Sequence, residues 1–101
     1  MANLIAATEG RYRRLSTVAN LSFPSVEPQT FQGLEVHLAG AALGDSVDLT
    51  EPYQRAAGIS FFSYVSAADT VRVCARNNTG NLTISVPNAD YGLTIHPLIG
   101  L

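Results

Sequence analysis

The sequence has no lysine and no tryptophan, and it has one cysteine among 101 residues. Charged residues make up 14% of the chain, where about 25% is typical of soluble domains. The net charge of -2 provides no basic excess, which argues against a generic nucleic-acid-binding protein. Hydrophobic residues make up 47% of the chain, which excludes a disordered chain. A folded chain with so few charges is expected to bury part of its surface against partners.

Long apolar runs are also missing. No segment approaches the roughly 20 apolar residues that a membrane span requires, so we expect no membrane partner. Residues 1–10 lack the basic start, apolar run and cleavage site of a signal peptide. Cys74 has no second cysteine with which to form an internal disulfide. These absences predict a single domain that is synthesised in the cytoplasm.

Short alternating segments are the strongest positive pattern. Apolar residues recur at every second position, as expected for strands with one buried face. In the run 59–65, Phe62 and Tyr64 fall on the face opposite Phe61. Seven segments show the pattern: 17–23, 34–38, 46–49, 59–65, 71–76, 82–86 and 93–96.

Glycine, proline and asparagine separate these segments at intervals near 10 to 12 residues. Residues 77–81 read Asn-Asn-Thr-Gly-Asn, which predicts a hairpin turn because these residues tolerate positive φ. Seven short strands at this spacing predict an all-β fold, an antiparallel β-sandwich of jelly-roll or Ig-like type. We expect an N-terminal arm over 1–14, the sandwich over 15–97 and an apolar C-terminal tail over 98–101.

The arm carries half of all the arginines. We expect it to anchor the chain by pairing arginines with carboxylates of a partner protein. A solvated linker and a nucleic-acid contact are the alternatives, and Glu9 beside the arginines weakens the second. The residues expected to anchor are Leu4, Ile5, Arg11, Arg13 and Arg14.

The tail is apolar to its last residue. An exposed apolar terminus favours association, so we expect it to pack on its own sandwich or on a neighbouring subunit. The residues expected at subunit contacts are Leu98, Ile99 and Leu101.

Signals for catalysis and for metal binding are weak. Gly44, Asp45 and Ser46 match the serine block of one esterase family, but a turn in which Asp45 bonds nearby backbone is favoured over a nucleophilic serine. His37 and His96 are about 60 residues apart, and zinc would need two more ligands beside them. We therefore expect exposed strand histidines, no catalytic residue, no metal and no cofactor.

Two further features have structural interpretations. Cys74 has no histidine or lysine beside it in the sequence, so a buried or interface thiol is favoured over a reactive one. The triplet starting at Asn77 matches a glycosylation acceptor, but without a secretory signal we interpret it as incidental.

Three stretches carry a resemblance to a known group of proteins. They are 38–47 (LAGAALGDSV), 64–73 (YVSAADTVRV) and 76–79 (RNNT). In this pattern the chain resembles a β-sandwich module of tailed-bacteriophage virion proteins, over roughly residues 16–96. The motifs are typical of turns and strands and contain no catalytic residues. Residues 66–70 predict a tight connection between two strands, in which we expect Asp69 to bond backbone amides beyond it.

The resemblance implies a small sandwich on the outside of a phage particle. Relatives of this kind are head-fibre, capsid-decoration and tail-fibre proteins. Only about 15 residues precede the predicted sandwich, which favours a decoration or cement protein on the capsid exterior over a fibre tip. The implied partners are the major capsid protein and further copies of the chain, most often as a trimer.

Two other functions remain open. A tail-fibre or baseplate module could bind a host receptor or glycan, with rings available for stacking on sugars. The candidate rings are Tyr12, Tyr53, Phe62, Tyr64 and Tyr91. Core or interface positions are favoured for all five. The third function is a small hydrolase built on Ser46.

Overall fold

The computed structural model describes residues 15–53 and 56–96. In this part of the chain the regular structure consists of strands alone, and they form two antiparallel sheets of three strands each. The predicted all-β sandwich is therefore confirmed. The arm over 1–14 and the tail residues 98–101 lie outside the described residues. The strands are β1 (Leu15–Leu21), β2 (Phe31–His37), β3 (Ser46–Thr50), β4 (Ile59–Ala67), β5 (Thr70–Asn77) and β6 (Ala89–His96).

Each sheet has a central strand that pairs with two edge strands. The first sheet has the order β1-β6-β3 and the second has the order β2-β5-β4. Only β4 and β5 are consecutive neighbours in one sheet, so the other four connections between these strands cross from sheet to sheet. β3 contacts β4, which places these two edge strands at the same side of the sandwich.

The core lies between the two sheets and is built from alternate residues of the central strands. Val71 and Val73 of β5 are fully buried, as are Leu93 (1% exposed) and Ile95 of β6. Full burial of such a side chain contributes about 1.5–3 kcal/mol. Phe23, Phe61 and Tyr91 meet in this core, with the Phe61 and Tyr91 ring centroids 5.3 Å apart.

The predicted seventh strand over 82–86 is wrong, because the described residues contain six strands. Ile84 makes an isolated bridge with Val26, and the backbone amide and carbonyl of each residue bond those of the other. The segment then reaches Pro87 and crosses to β6 without pairing along either sheet. The hairpin predicted over 77–81 is wrong for the same reason, since β5 pairs with β2 and β4.

Asn77 holds this crossing segment in place. Its side chain is fully buried, and its Nδ2 donates to the carbonyl oxygens of Val26 at 2.9 Å and Leu82 at 2.6 Å. Its Oδ1 accepts from the backbone amide of Thr79 at 2.8 Å and from the Thr79 hydroxyl at 2.6 Å. The polar atoms of this buried amide are therefore satisfied by groups of the crossing segment and of the loop before β2.

Two of the stretches that carry the phage resemblance touch each other. The Asp69 carboxylate accepts from the Gly40 amide at 2.8 Å, and the Asp69 backbone bonds Leu38 and Ala41. Asp69 has a positive φ of 60°, which aspartate tolerates better than most residues. The Asp69 carboxylate therefore bonds an amide of the loop after β2, which precedes Asp69 in the chain, whereas the sequence predicted amides beyond it.

Candidate interaction surface

The outer face of the second sheet carries an aromatic band formed by Phe31, Phe62 and Tyr64. These side chains are 49%, 40% and 44% exposed. The centroids of Phe31 and Phe62 are 5.9 Å apart in an edge-on arrangement, and those of Phe62 and Tyr64 are 6.4 Å apart with planes at 10°. The band thus crosses the sheet from the edge strand β2 to the edge strand β4.

Two arginines of the central strand lie within this face. In the strand register Phe31 is opposite Arg76, and Tyr64 is opposite Arg72. The Arg72 guanidinium extends over Gly33, where an added Cβ would lie 2.5 Å from Arg72 Nε. Arg72 also lies 3.7 Å from a carboxylate oxygen of Glu35. Because both groups are partly exposed, this ion pair contributes little to stability.

Arg76 is oriented by a chain of hydrogen bonds. Its Nε donates to Asn78 Oδ1 at 3.2 Å, and Asn78 Nδ2 donates to Ser60 Oγ at 2.9 Å. Within the described part of the chain, no carboxylate is paired with Arg76. The terminal nitrogens of its guanidinium are suited to bind a carboxylate or another anion.

Cys74 lies beneath the aromatic band. It is opposite Gly33 on one side and Phe62 on the other, and it is fully buried. Burial raises the pKa of the Cys74 thiol, with Arg72 acting in the opposite direction. The sequence expectation of a buried thiol is confirmed, and its raised pKa disfavours the reactive thiolate.

The outer face of the first sheet is polar by contrast. Ser16 bonds Thr94 at 3.2 Å and Asn20 donates to Asp90 at 2.9 Å, each pair across two neighbouring strands. Val18, which is 70% exposed, lies between these pairs on β1. The two outer faces therefore differ in chemistry, and the aromatic band belongs to one of them alone.

The serine motif forms a turn. The Asp45 carboxylate accepts from the Ala42 amide at 3.0 Å, and the Ser46 hydroxyl donates to the backbone oxygen of His96 at 3.4 Å. The His96 ring bonds Asp48 at 2.6 Å. Although serine, histidine and aspartate share this face, the hydroxyl of Ser46 points to a carbonyl oxygen rather than to the ring that would act as its base.

Residues 15–53 and 56–96 contain neither a metal-binding cluster nor a membrane-spanning helix. Among residues 15–53 and 56–96, no group of three or more histidine, cysteine, aspartate or glutamate side chains is arranged to hold a metal ion. No helix in the same residues is long and apolar enough to cross a membrane. His37 is exposed on β2 and His96 is half-buried on β6.

The aromatic rings considered for stacking on sugars lie in different environments. Phe62 and Tyr64 are exposed on one face, and Tyr53 is 99% exposed outside the strands. Tyr91 is fully buried in the core, which agrees with the position favoured for it from the sequence and leaves it no surface for stacking. Tyr12 lies outside the described residues, as do the predicted arm and tail contacts.

Sequence reasoning missed Phe31 because the pattern placed the start of the second strand at residue 34. The available signal was the alternation that continues upstream from Glu35 through Gly33 to Phe31, which puts all three on the outer face.

Comparison with protein families, with curated proteins and with solved structures finds no match.

Proposed function

We propose that this chain is a non-enzymatic structural protein of a tailed-bacteriophage particle. It decorates the capsid exterior by binding the major capsid protein, and it stabilises the junctions between capsomers. The motif resemblance and the sandwich fold support this proposal. Four of the five connections between the described strands cross from sheet to sheet, which supports a reduced jelly-roll or Ig-like topology.

The observation that carries the proposal is the aromatic band. An aromatic side chain presents about 200 Å², so three rings exposed by 40–49% offer about 250–300 Å² of surface. Burial of that surface against a partner is worth about 6–7 kcal/mol before the costs of association. The band therefore provides a docking face on a chain that has few charges.

Binding to the assembled shell alone would stabilise the shell by mass action. Copies at capsomer junctions would add buried apolar surface that free capsomers do not have. The trimer, the arm anchor and the tail contacts belong to this proposal. They concern residues outside the described range or copies of the chain beyond the one described.

Binding to purified empty shells tests the proposal. The double variant Phe62→Ser with Tyr64→Ser should lose at least about tenfold in affinity, since two partly exposed rings contribute a few kcal/mol. Val18→Ser removes a more exposed apolar side chain from the polar face and should leave affinity unchanged. Equal affinity of all three proteins would contradict the role of the band.

The arm is tested separately. Deletion of residues 1–14 should leave the circular-dichroism spectrum of the sandwich unchanged and abolish shell binding. Unchanged binding by the truncated protein would refute the anchoring role of the arm.

A host-receptor or glycan-binding module is the second candidate. The observation in its favour is that Phe62 and Tyr64 stand nearly parallel beside Arg72 and Arg76, since sugars stack on rings and bond to such donors. A glycan array with hits that Phe62→Ser abolishes would support this function. An array without hits would favour the capsid.

A further inference from the structure

Strand β4 has an unusual edge. It is nine residues long and forms one edge of the second sheet, with β5 on its inner side. No strand among the described residues pairs with its outer side. Its sequence, ISFFSYVSA, has neither a charged residue nor a proline. A long, uncharged, aromatic-rich edge is a template for pairing with another strand.

Two of the other three edge strands carry charged residues, which oppose pairing, and the third, β1, has no aromatic residue. β2 carries Glu35 and His37, and β3 has five residues with Asp48 at its centre. β1 is uncharged but carries polar side chains that are bonded within its own sheet, such as Ser16 to Thr94 and Asn20 to Asp90. Charge and short length are common protections of sheet edges. β4 alone combines length with aromatic and β-branched residues of high strand propensity.

A bulge limits the usable part of the edge. The register of β4 against β5 shifts between Val65 and Ala67, so the regular stretch is 59–65. Phe62 is the central residue of that stretch. An antiparallel pair of two such stretches therefore has its two-fold axis at Phe62.

We propose that two copies of the chain pair through β4 in antiparallel orientation about Phe62, forming one continuous six-stranded sheet. A second copy is the chosen partner because the strand is self-complementary. Ile59 would face Val65, Ser60 would face Tyr64 and Phe62 would face its counterpart, with no like charges opposite each other. Such a two-fold contact uses the same surface on both subunits.

The pairing extends the aromatic band. Phe62 and Tyr64 lie on the outer face of β4, so the bands of the two copies meet at the axis. The dimer then presents six rings on one continuous sheet face, twice the aromatic surface of one copy. This inference goes beyond the proposed function, since the dimer forms in free protein without a shell.

Sedimentation equilibrium of the full chain tests the inference. We expect a species of twice the 10.7 kDa chain mass. Phe62→Lys places two like charges opposite each other at the axis and should weaken dimerisation by about 100-fold at low salt. Val18→Lys places the same charge at an exposed position on the outer face of the first sheet. It should change the dissociation constant by less than about threefold, since Val18 lies in a different sheet from β4.

Charge reversal makes the test specific to this register. Phe62→Glu alone should also be monomeric, whereas an equimolar mixture of Phe62→Glu and Phe62→Lys should restore the dimer. Amide hydrogen exchange of the unmodified protein gives a second measurement, in which alternate amides of 59–65 lose protection on dilution to monomer.

Four outcomes would overturn the inference. They are a monomer at millimolar concentration, a trimer, a dimer that survives Phe62→Lys, and a mixture that stays monomeric.

A monomer with a protected β4 edge would mean that another segment of the same chain covers it. A trimer that binds shells would leave the decoration proposal standing, and a dimer that ignores shells would refute that proposal while supporting this pairing.

Discussion

Replacement of Asn77 should lower the free energy of unfolding of the sandwich strongly, although the side chain is small. It is fully buried, and its side chain makes four hydrogen-bond contacts, to the carbonyl oxygens of Val26 and Leu82 and to the amide and hydroxyl of Thr79. Asn77→Ala removes all four. The crossing segment after β5 then loses the Asn77 side chain as a link to the loop before β2 and keeps the Val26–Ile84 backbone bridge.

The expected loss of stability in Asn77→Ala follows from the groups that lose a hydrogen bond to Asn77. Each net hydrogen bond contributes about 1 kcal/mol. The Val26 and Leu82 oxygens retain other donors, the Ile84 amide at 3.0 Å and the Thr79 hydroxyl at 3.0 Å. The partly buried Thr79 amide has no other described acceptor, and leaving it unsatisfied costs about 1 kcal/mol, the low end of the range for buried amides. We expect a total loss of about 3 kcal/mol.

Urea unfolding followed by circular dichroism measures this loss. With a slope of about 1.5 kcal/mol/M for a domain of this size, the midpoint of Asn77→Ala should fall by about 2 M. Asn81→Ala, at an exposed asparagine in the same loop, should change the free energy of unfolding by less than about 0.5 kcal/mol.

Asn77→Asp adds a pH dependence of known sign. The new carboxylate would face the carbonyl oxygens of Val26 and Leu82 in a fully buried position, so its folded pKa should lie above its unfolded value near 4. The stability deficit of the variant relative to the unmodified protein should therefore be smallest below pH 4 and grow as the pH rises toward 7. A loss below 1 kcal/mol in Asn77→Ala, or a deficit of Asn77→Asp that does not grow from pH 4 to pH 7, would refute the reasoning.

Three further predictions concern single sites. The buried Tyr91 hydroxyl has no hydrogen-bond partner and burial raises its pKa above 10.0, so Tyr91→Phe should be neutral or stabilising by up to about 1 kcal/mol. Stability should fall above pH 10 as the unfolded phenol ionises, and Tyr91→Phe should reduce this fall in alkaline urea titrations. Gly40→Ala should cost about 2 kcal/mol in thermal unfolding, since φ is +97° and Leu15 Cδ1 lies 2.7 Å from the added Cβ, whereas Gly80→Ala meets nothing within 4 Å and serves as control. The buried Cys74 thiol should react with a disulfide reagent only at the rate of unfolding, and rapid reaction of native protein would contradict its burial.

The strands that the sequence predicted correctly are those whose alternation reflects one buried face. Examples are 59–65 and 71–76, where periodicity alone separates Phe61 from Phe62 and Val73 from Arg72. Segment 82–86 alternates in the same way, yet its Leu82 is 58% exposed. The carbonyl oxygen of Leu82 instead accepts from the buried Asn77 side chain, a contact that the alternation does not reveal. A periodic pattern therefore predicts a strand only where tertiary contacts leave the backbone free to pair.

The sequence pattern likewise predicts only part of the aromatic band. The face of Phe62 and Tyr64 was predictable from their two-residue spacing, whereas the neighbours that make it a band come from strands distant in the sequence. Phe31 is about 30 residues upstream and is brought beside Phe62 by the shared pairing with β5. Burial of the Cys74 thiol was predicted, but its position opposite Gly33 and Phe62 depends on strand pairing that the sequence pattern does not specify.

The copy number of the chain in purified virus particles tests the central proposal most directly. Quantitative mass spectrometry against the major capsid protein gives this number without any variant. A capsid-decoration protein predicts hundreds of copies per particle, because the capsomer junctions recur over the whole shell. A handful of copies would contradict decoration of the shell and favour a tail or baseplate module, and absence from the particle would contradict a virion protein altogether.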